Sequence, residues 1–132
     1  MLLQVYVIHA TLGADVAVPC VYALLQHKTQ DVYEQLLQVI DDHASRLSPP
    51  MSPDPTVVIV DFESAAISAV RQTYGDTVEV RGCFFHLTQS TWRKVQALGL
   101  APLYKADEDV RLFCGMLDAL AFLPVALQVD TA

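Results

Sequence analysis

Cysteine is scarce in this chain: three in 132 residues, at Cys20, Cys83 and Cys114. So low and odd a count excludes a secreted scaffold built on disulfides. The expected location is therefore a reducing one, nuclear or cytoplasmic and not secreted. Basic residues are few as well. Lys and Arg total 8 against 15 Asp and Glu, for a net charge of −7. Free-standing DNA-binding modules are usually basic, because neutralising phosphates drives their affinity. Strong DNA binding by this chain alone is therefore not expected. No unbroken apolar run approaches the roughly 20 residues that a membrane span needs. Nor does a basic segment with a small-residue cleavage site open the chain. Internal repeats and low-complexity tracts are absent.

What is present is apolar. Hydrophobic residues make up 53% and the mean hydropathy is +0.35, too high for a chain that stays disordered. The length suits one domain, and residues 1–132 are read as one.

Two apolar runs open the sequence. Leu2 to His9 offers apolar residues on both faces, as a buried strand does. Val16 to Leu25 is a second, β-branched run. The short joint Thr11-Leu12-Gly13-Ala14-Asp15 makes them an antiparallel hairpin, with Gly13 free to take positive φ. Pro19 has no N–H to give a ladder, so the second strand is expected at an edge. After the polar joint Gln26-His27-Lys28-Thr29, residues Gln30 to Leu47 repeat at helical spacing through Val32, Leu36, Val39 and Ile40. Tyr33 and Leu37 widen that stripe, and Thr29 is the expected N-cap. The proline-rich stretch from Ser48 to Pro55 is read as a surface loop.

Thr56 to Val60 is continuously apolar and β-branched. That pattern predicts a central strand covered on both faces, ending at Asp61. A helix is expected from Ser64 to Tyr74, with Ala66, Ile67 and Val70 inward, and a strand from Thr77 to Arg81. Gly82 turns the chain into a helix from Phe84 to Leu98, stopped by Gly99. The last helix runs from Asp107 to Phe122, with Val110, Phe113, Cys114, Leu117, Leu120 and Ala121 as its apolar stripe. Asp107-Glu108-Asp109 suits the positive end of its dipole. The order β-β-α-β-α-β-α-α is an α/β pattern.

Few residues offer chemistry. Asp61 stands where a buried strand ends, the place where open α/β sheets put ligand-binding groups. On pattern alone it reads first as the cap of the next helix. A carboxylate there binds Mg²⁺ only if others converge on it. Cys83 and His86 share a face at i and i+3. They supply two donors, half of a structural zinc site, and spacing alone favours a buried cysteine beside a satisfied histidine. Arg93 and Lys94 lie where they would touch phosphates, with Trp92 beside them to stack on a base. The simpler reading packs Trp92 inward and leaves both cations solvated.

Several ordered motifs together resemble the MULE transposase domain of Mutator-like elements. They are Val58-Ile59-Val60-Asp61-Phe62-Glu63, Gly82-Cys83-Phe84-Phe85-His86-Leu87-Thr88-Gln89 and Trp92-Arg93-Lys94-Val95-Gln96. Ile8-His9, Pro19-Cys20-Val21-Tyr22-Ala23-Leu24, Lys28-Thr29, Leu98-Gly99-Leu100 and Leu120-Ala121-Phe122-Leu123-Pro124 fit as well. The resemblance implies a ribonuclease-H-like fold and a DDE-type DNA strand transferase using Mg²⁺ or Mn²⁺. Asp61 matches the second acid, and Cys83 and His86 match the Cys-x-x-His motif. The first acid, on a strand ahead of the hairpin, has no counterpart. Asp15 falls in the hairpin turn and Glu108 lies too early to be the third. The expectation is a truncated domain, its first central strand missing and its strand-transfer activity absent when alone. With that strand missing, the strands that should flank it are expected to stand unpaired or to pair with each other, so a homo-oligomer or a complementing chain is the expected partner. DNA is a partner by resemblance only. The competing expectation is a protein-interaction module that reuses the α/β layer.

Overall fold

The computed structural model describes residues 3–13 and 16–124. Leu2 and Asp15, which enter the expectations above, lie outside the described residues. The chain divides into two compact units, Met1–Arg81 and Gly82–Ala132.

The first unit opens with β1 (Gln4–Leu12) and β2 (Val16–Leu25), an antiparallel hairpin as the spacing predicts. Gly13 takes φ +68 at the turn, a conformation that costs glycine little. The register slips between Ile8 and His9, where Ile8 pairs Val21 and His9 pairs Pro19. Cys20 is thus the extra residue of a β-bulge, and the neighbouring proline sits where a missing donor is tolerated. Helix α1 follows (Gln30–Ser45). Thr29 does occupy the N-cap position, but its side chain makes no capping bond. Next come β3 (Val57–Val60), α2 (Ser64–Tyr74) and β4 (Glu79–Gly82).

The core of this unit forms where α1 and α2 meet one face of the hairpin. Tyr33, Leu25, Ala66 and Ala69 are buried together, with Tyr6, Ala23, Val32, Leu36 and Leu37 packed on them. Alanines at successive helical turns let α2 approach α1 closely. Two expectations fail here. Val39 is exposed, because the packed stripe of α1 is centred on Tyr33 rather than on the i+7 position. Strand β3 is not buried on both faces: Val57 and Ile59 are exposed, Val58 is partly covered and Val60 is buried. The strands form two separate two-stranded sheets, β1–β2 and β3–β4, so β1 and β3 do not pair with each other. The arrangement is mixed α/β.

The second unit is helical: α3 (Phe84–Ala97), α4 (Ala101–Ala106) and α5 (Glu108–Ala119), with a 3-10 turn at Leu120–Phe122. Gly82 ends β4 without positive φ, whereas Gly99 has φ +70 and closes α3. Asp107 caps α5, its Oδ1 accepting from the amides of Asp109 at 2.9 Å and Val110 at 3.4 Å. Packing is thin. Val95 and Cys114 are buried, while Phe113, Leu117 and Leu120 of the expected inward stripe are exposed. Thr91 Oγ1 donates to Asp118 Oδ1 at 2.6 Å, and the Trp92 ring tilts against Tyr104 with centroids 5.1 Å apart.

Two tests follow from the first unit. Ala69 is fully enclosed, at 0% exposure, so Ala69→Leu should destabilise the chain by about 1–3 kcal/mol through overpacking, measured by urea unfolding. Tyr74 is half-buried at the end of α2, and its hydroxyl donates to Asp41 Oδ1 at 3.3 Å. Burial first, then the Asp41 charge, pushes its phenol up to about 12. The unfolded chain releases that proton near pH 10. The folded state therefore holds more protons between about 10 and 12, and its stability should fall as pH rises through that window. Tyr74→Phe should flatten part of that fall in Tm.

Candidate functional site at the end of β3

Asp61 follows the last residue of β3, and its half-exposed side chain accepts a bond at Oδ1 from the amide of Glu63, at 3.3 Å. That is an Asx-type turn, in which a short carboxylate bonds backbone two residues on. It departs from the cap that pattern favours. The N-cap of α2 is Glu63, whose carbonyl takes the amide of Ile67 at 3.1 Å. Asp61 lies ahead of the helix and does not cap it.

Glu63 is the nearest acid in sequence and is committed elsewhere. Its Oε1 accepts from the Tyr33 hydroxyl at 3.0 Å, and its Oε2 meets Lys28 Nζ at 3.1 Å. Gln4 Nε2 in turn donates to the Tyr33 oxygen at 3.3 Å. A chain of polar contacts thus joins β1, the joint before α1, α1 itself and the turn after β3. Tyr33 stacks at a tilt on Tyr6, centroids 5.1 Å apart. Burial pushes the Tyr6 phenol up to about 12, helped by Tyr33, Asp61 and Glu63 and opposed by Lys28. Burial also raises the Tyr33 phenol, and Glu63 adds to the rise while Gln4 lowers it.

Sequence reasoning missed this network. Glu63 lies 30 residues after Tyr33 and 35 after Lys28, and no local period links them. The only available signal was an acid two residues after Asp61, immediately before a helix.

The other expected residues stay apart. Cys83 is the N-cap of α3 and partly covered, while His86 is exposed with its ring edge-on to Phe85 at 5.7 Å. Among the described residues, no group of three or more His, Cys, Asp or Glu side chains stands close enough to hold a metal ion. The donors present therefore do not fit a closed zinc site, which takes four ligands. Nor do they fit a pair of catalytic metals. Arg93 Nη2 donates to Gln89 one helical turn away at 2.7 Å. Lys94 is exposed and borders an apolar groove of about 380 Å³ between α3 and α5. No described helix is long and apolar enough to cross a membrane.

The family profile of the MULE transposase domain matches residues 2–90, more than half of the 132. The protein is a member of the MULE transposase domain family. The matched stretch contains Asp61, Cys83 and His86 and ends before Arg93 and Lys94. No curated protein and no solved structure matches the chain.

The Tyr33–Glu63 bond invites a direct test. Tyr33→Phe keeps the ring in the core and removes two hydrogen bonds, the one donated to the charged Glu63 and the one accepted from Gln4; the first alone should cost about 1.5–3 kcal/mol. Urea unfolding reads this directly, and a loss below half of that would mean water replaces the phenol.

Proposed function

We propose that this chain is a transposase-derived domain whose ancestral chemistry is DDE-type, metal-dependent DNA strand transfer, and that it does not carry out that reaction alone. Family membership supports the first half. One observation carries the second: Asp61 is the acid left uncommitted at the end of β3, because its neighbour Glu63 is held by Tyr33 and Lys28. Two-metal cleavage needs carboxylates that clamp both the attacking and the leaving oxygens. In this reading Asp61 is the second acid of the triad, and Cys83 and His86 keep a structural role at the start of α3. Mg²⁺ or Mn²⁺ would not be bound productively. Arg93 and Lys94 are the phosphate-contact candidates, on an otherwise acidic chain that works in the nucleus or cytoplasm.

The same reading takes the two small sheets as parts of a ribonuclease-H-like sheet whose first central strand would lie between β1 and β3. The strands that would flank it support the reading, since β1 and β3 stand in separate two-stranded sheets and do not pair with each other. Exposed backbone edges also capture strands, so a complementing chain or a second copy is the partner this reading calls for.

A second reading, a protein-interaction module, draws on the helical unit. Phe84, Phe85, Phe113, Met116 and Leu117 are all exposed there, and apolar surface of that kind marks association sites.

The test is a nicking and strand-transfer assay on labelled DNA with Mg²⁺ or Mn²⁺, comparing the native chain with Asp61→Ala. No product from a folded native sample is expected. Metal-dependent product that disappears in Asp61→Ala would overturn the claim of inactivity.

A further inference from the structure

The acidic turn after β3 already holds a cation, and it belongs to the protein. Lys28 Nζ lies 3.1 Å from Glu63 Oε2. The opposite oxygen of that carboxylate is fixed by the Tyr33 hydroxyl at 3.0 Å, and Tyr33 is itself buried and bonded to Gln4. Glu63 therefore has little freedom to swing toward Asp61, although its own amide bonds Asp61 Oδ1. The Glu63 side chain is 19% exposed, while that of Lys28 is 59% exposed. The carboxylate is thus built into the fold, and the ammonium reaches it from the solvent side.

We propose that Lys28 is the resident counter-ion of this site: its ammonium takes up Glu63 and supplies the positive charge that a divalent cation would otherwise bring to Asp61 and Glu63. The lysine thus adds a local obstacle to the absence of the other acids: the carboxylate next to Asp61 in sequence is present but closed. The inference rests on reading Asp61 as the acid of this site, and it does not depend on whether the chain cleaves DNA.

Its chemistry is simple. A cation seated on a carboxylate opposes the entry of a second cation there, by an amount that solvent moderates because the ammonium is 59% exposed. A lysine is a compact charge with three donors. Removing it leaves Glu63 with one neutral partner, Tyr33, and with lone pairs to offer.

The test is a Mn²⁺ titration of the full ¹⁵N-labelled chain, reading paramagnetic broadening of the amides of residues 61–64. Native protein is compared with Lys28→Met, Lys28→Gln, Lys28→Arg and the double variant Lys28→Met with Glu63→Gln. Lys28→Met and Lys28→Gln should broaden those amides at about a tenfold lower Mn²⁺ concentration than native protein. Lys28→Arg should behave as native, and the double variant should lose the gain. Undisturbed amides elsewhere show that each variant is folded, and two neutral replacements guard against one that is not. Equal Mn²⁺ response in native and neutral variants would overturn the proposal. So would a gain that survives removal of the Glu63 charge. The claim that the native chain is inactive fails separately, by metal-dependent cleavage that Asp61→Ala abolishes.

Discussion

The first unit depends on one phenol. Tyr33 is enclosed by the hairpin and by α2, with 2% of its surface exposed. A buried hydroxyl needs partners. Tyr33 finds them in Gln4 on one side and Glu63 on the other. Its ring supplies apolar contact to Tyr6, Leu25 and the alanines of α2, while its tip ties the first strand to the turn after the third. An apolar body with a polar end suits tyrosine to this place. Phenylalanine would keep the packing and lose the tie. A longer polar residue would keep the tie and lose the packing.

Much of this was legible in the residues. The limits of β2 and α2 agree with the pattern to the residue, because strong local signals bound them: Gly13 before the strand, the polar joint after it, and Gly75 after the helix. The order of elements also agrees, apart from α4. That helix is short, and Pro102 in its first turn followed by a capping Asp107 was the signal available for it. Burial was read less well. Val57, Ile59, Val39 and Phe113 are apolar and were expected inside, yet stand exposed. Sequence pattern reports what a face is suited to contact. It does not report whether the contacting surface is present.

The site divides along the same line. Asp61 could be located by its place at the end of an apolar run, a local feature. Its surroundings could not, because Gln4, Lys28, Tyr33 and Glu63 converge only through folding. Local pattern reads Asp61 first as a helix cap. The geometry places Glu63 at that position and holds the Asp61 carboxylate to backbone in a turn. Cys83 and His86 lie within the stretch that the family profile matches, but no third donor joins them among the described residues.

The bulge at Cys20 separates two parts of the hairpin with different surroundings. On the near side, Tyr6, Ala23 and Leu25 help build the core. On the far side His9, Ala10, Thr11 and Leu12 are all exposed, and of Val16 to Cys20 only Val18 is partly covered. The far part is held by its ladder alone, without a helix beneath it. A protease meeting the folded chain would find there a segment whose opening exposes no core side chain, so limited digestion should begin in this arm and leave the α1–α2 core intact.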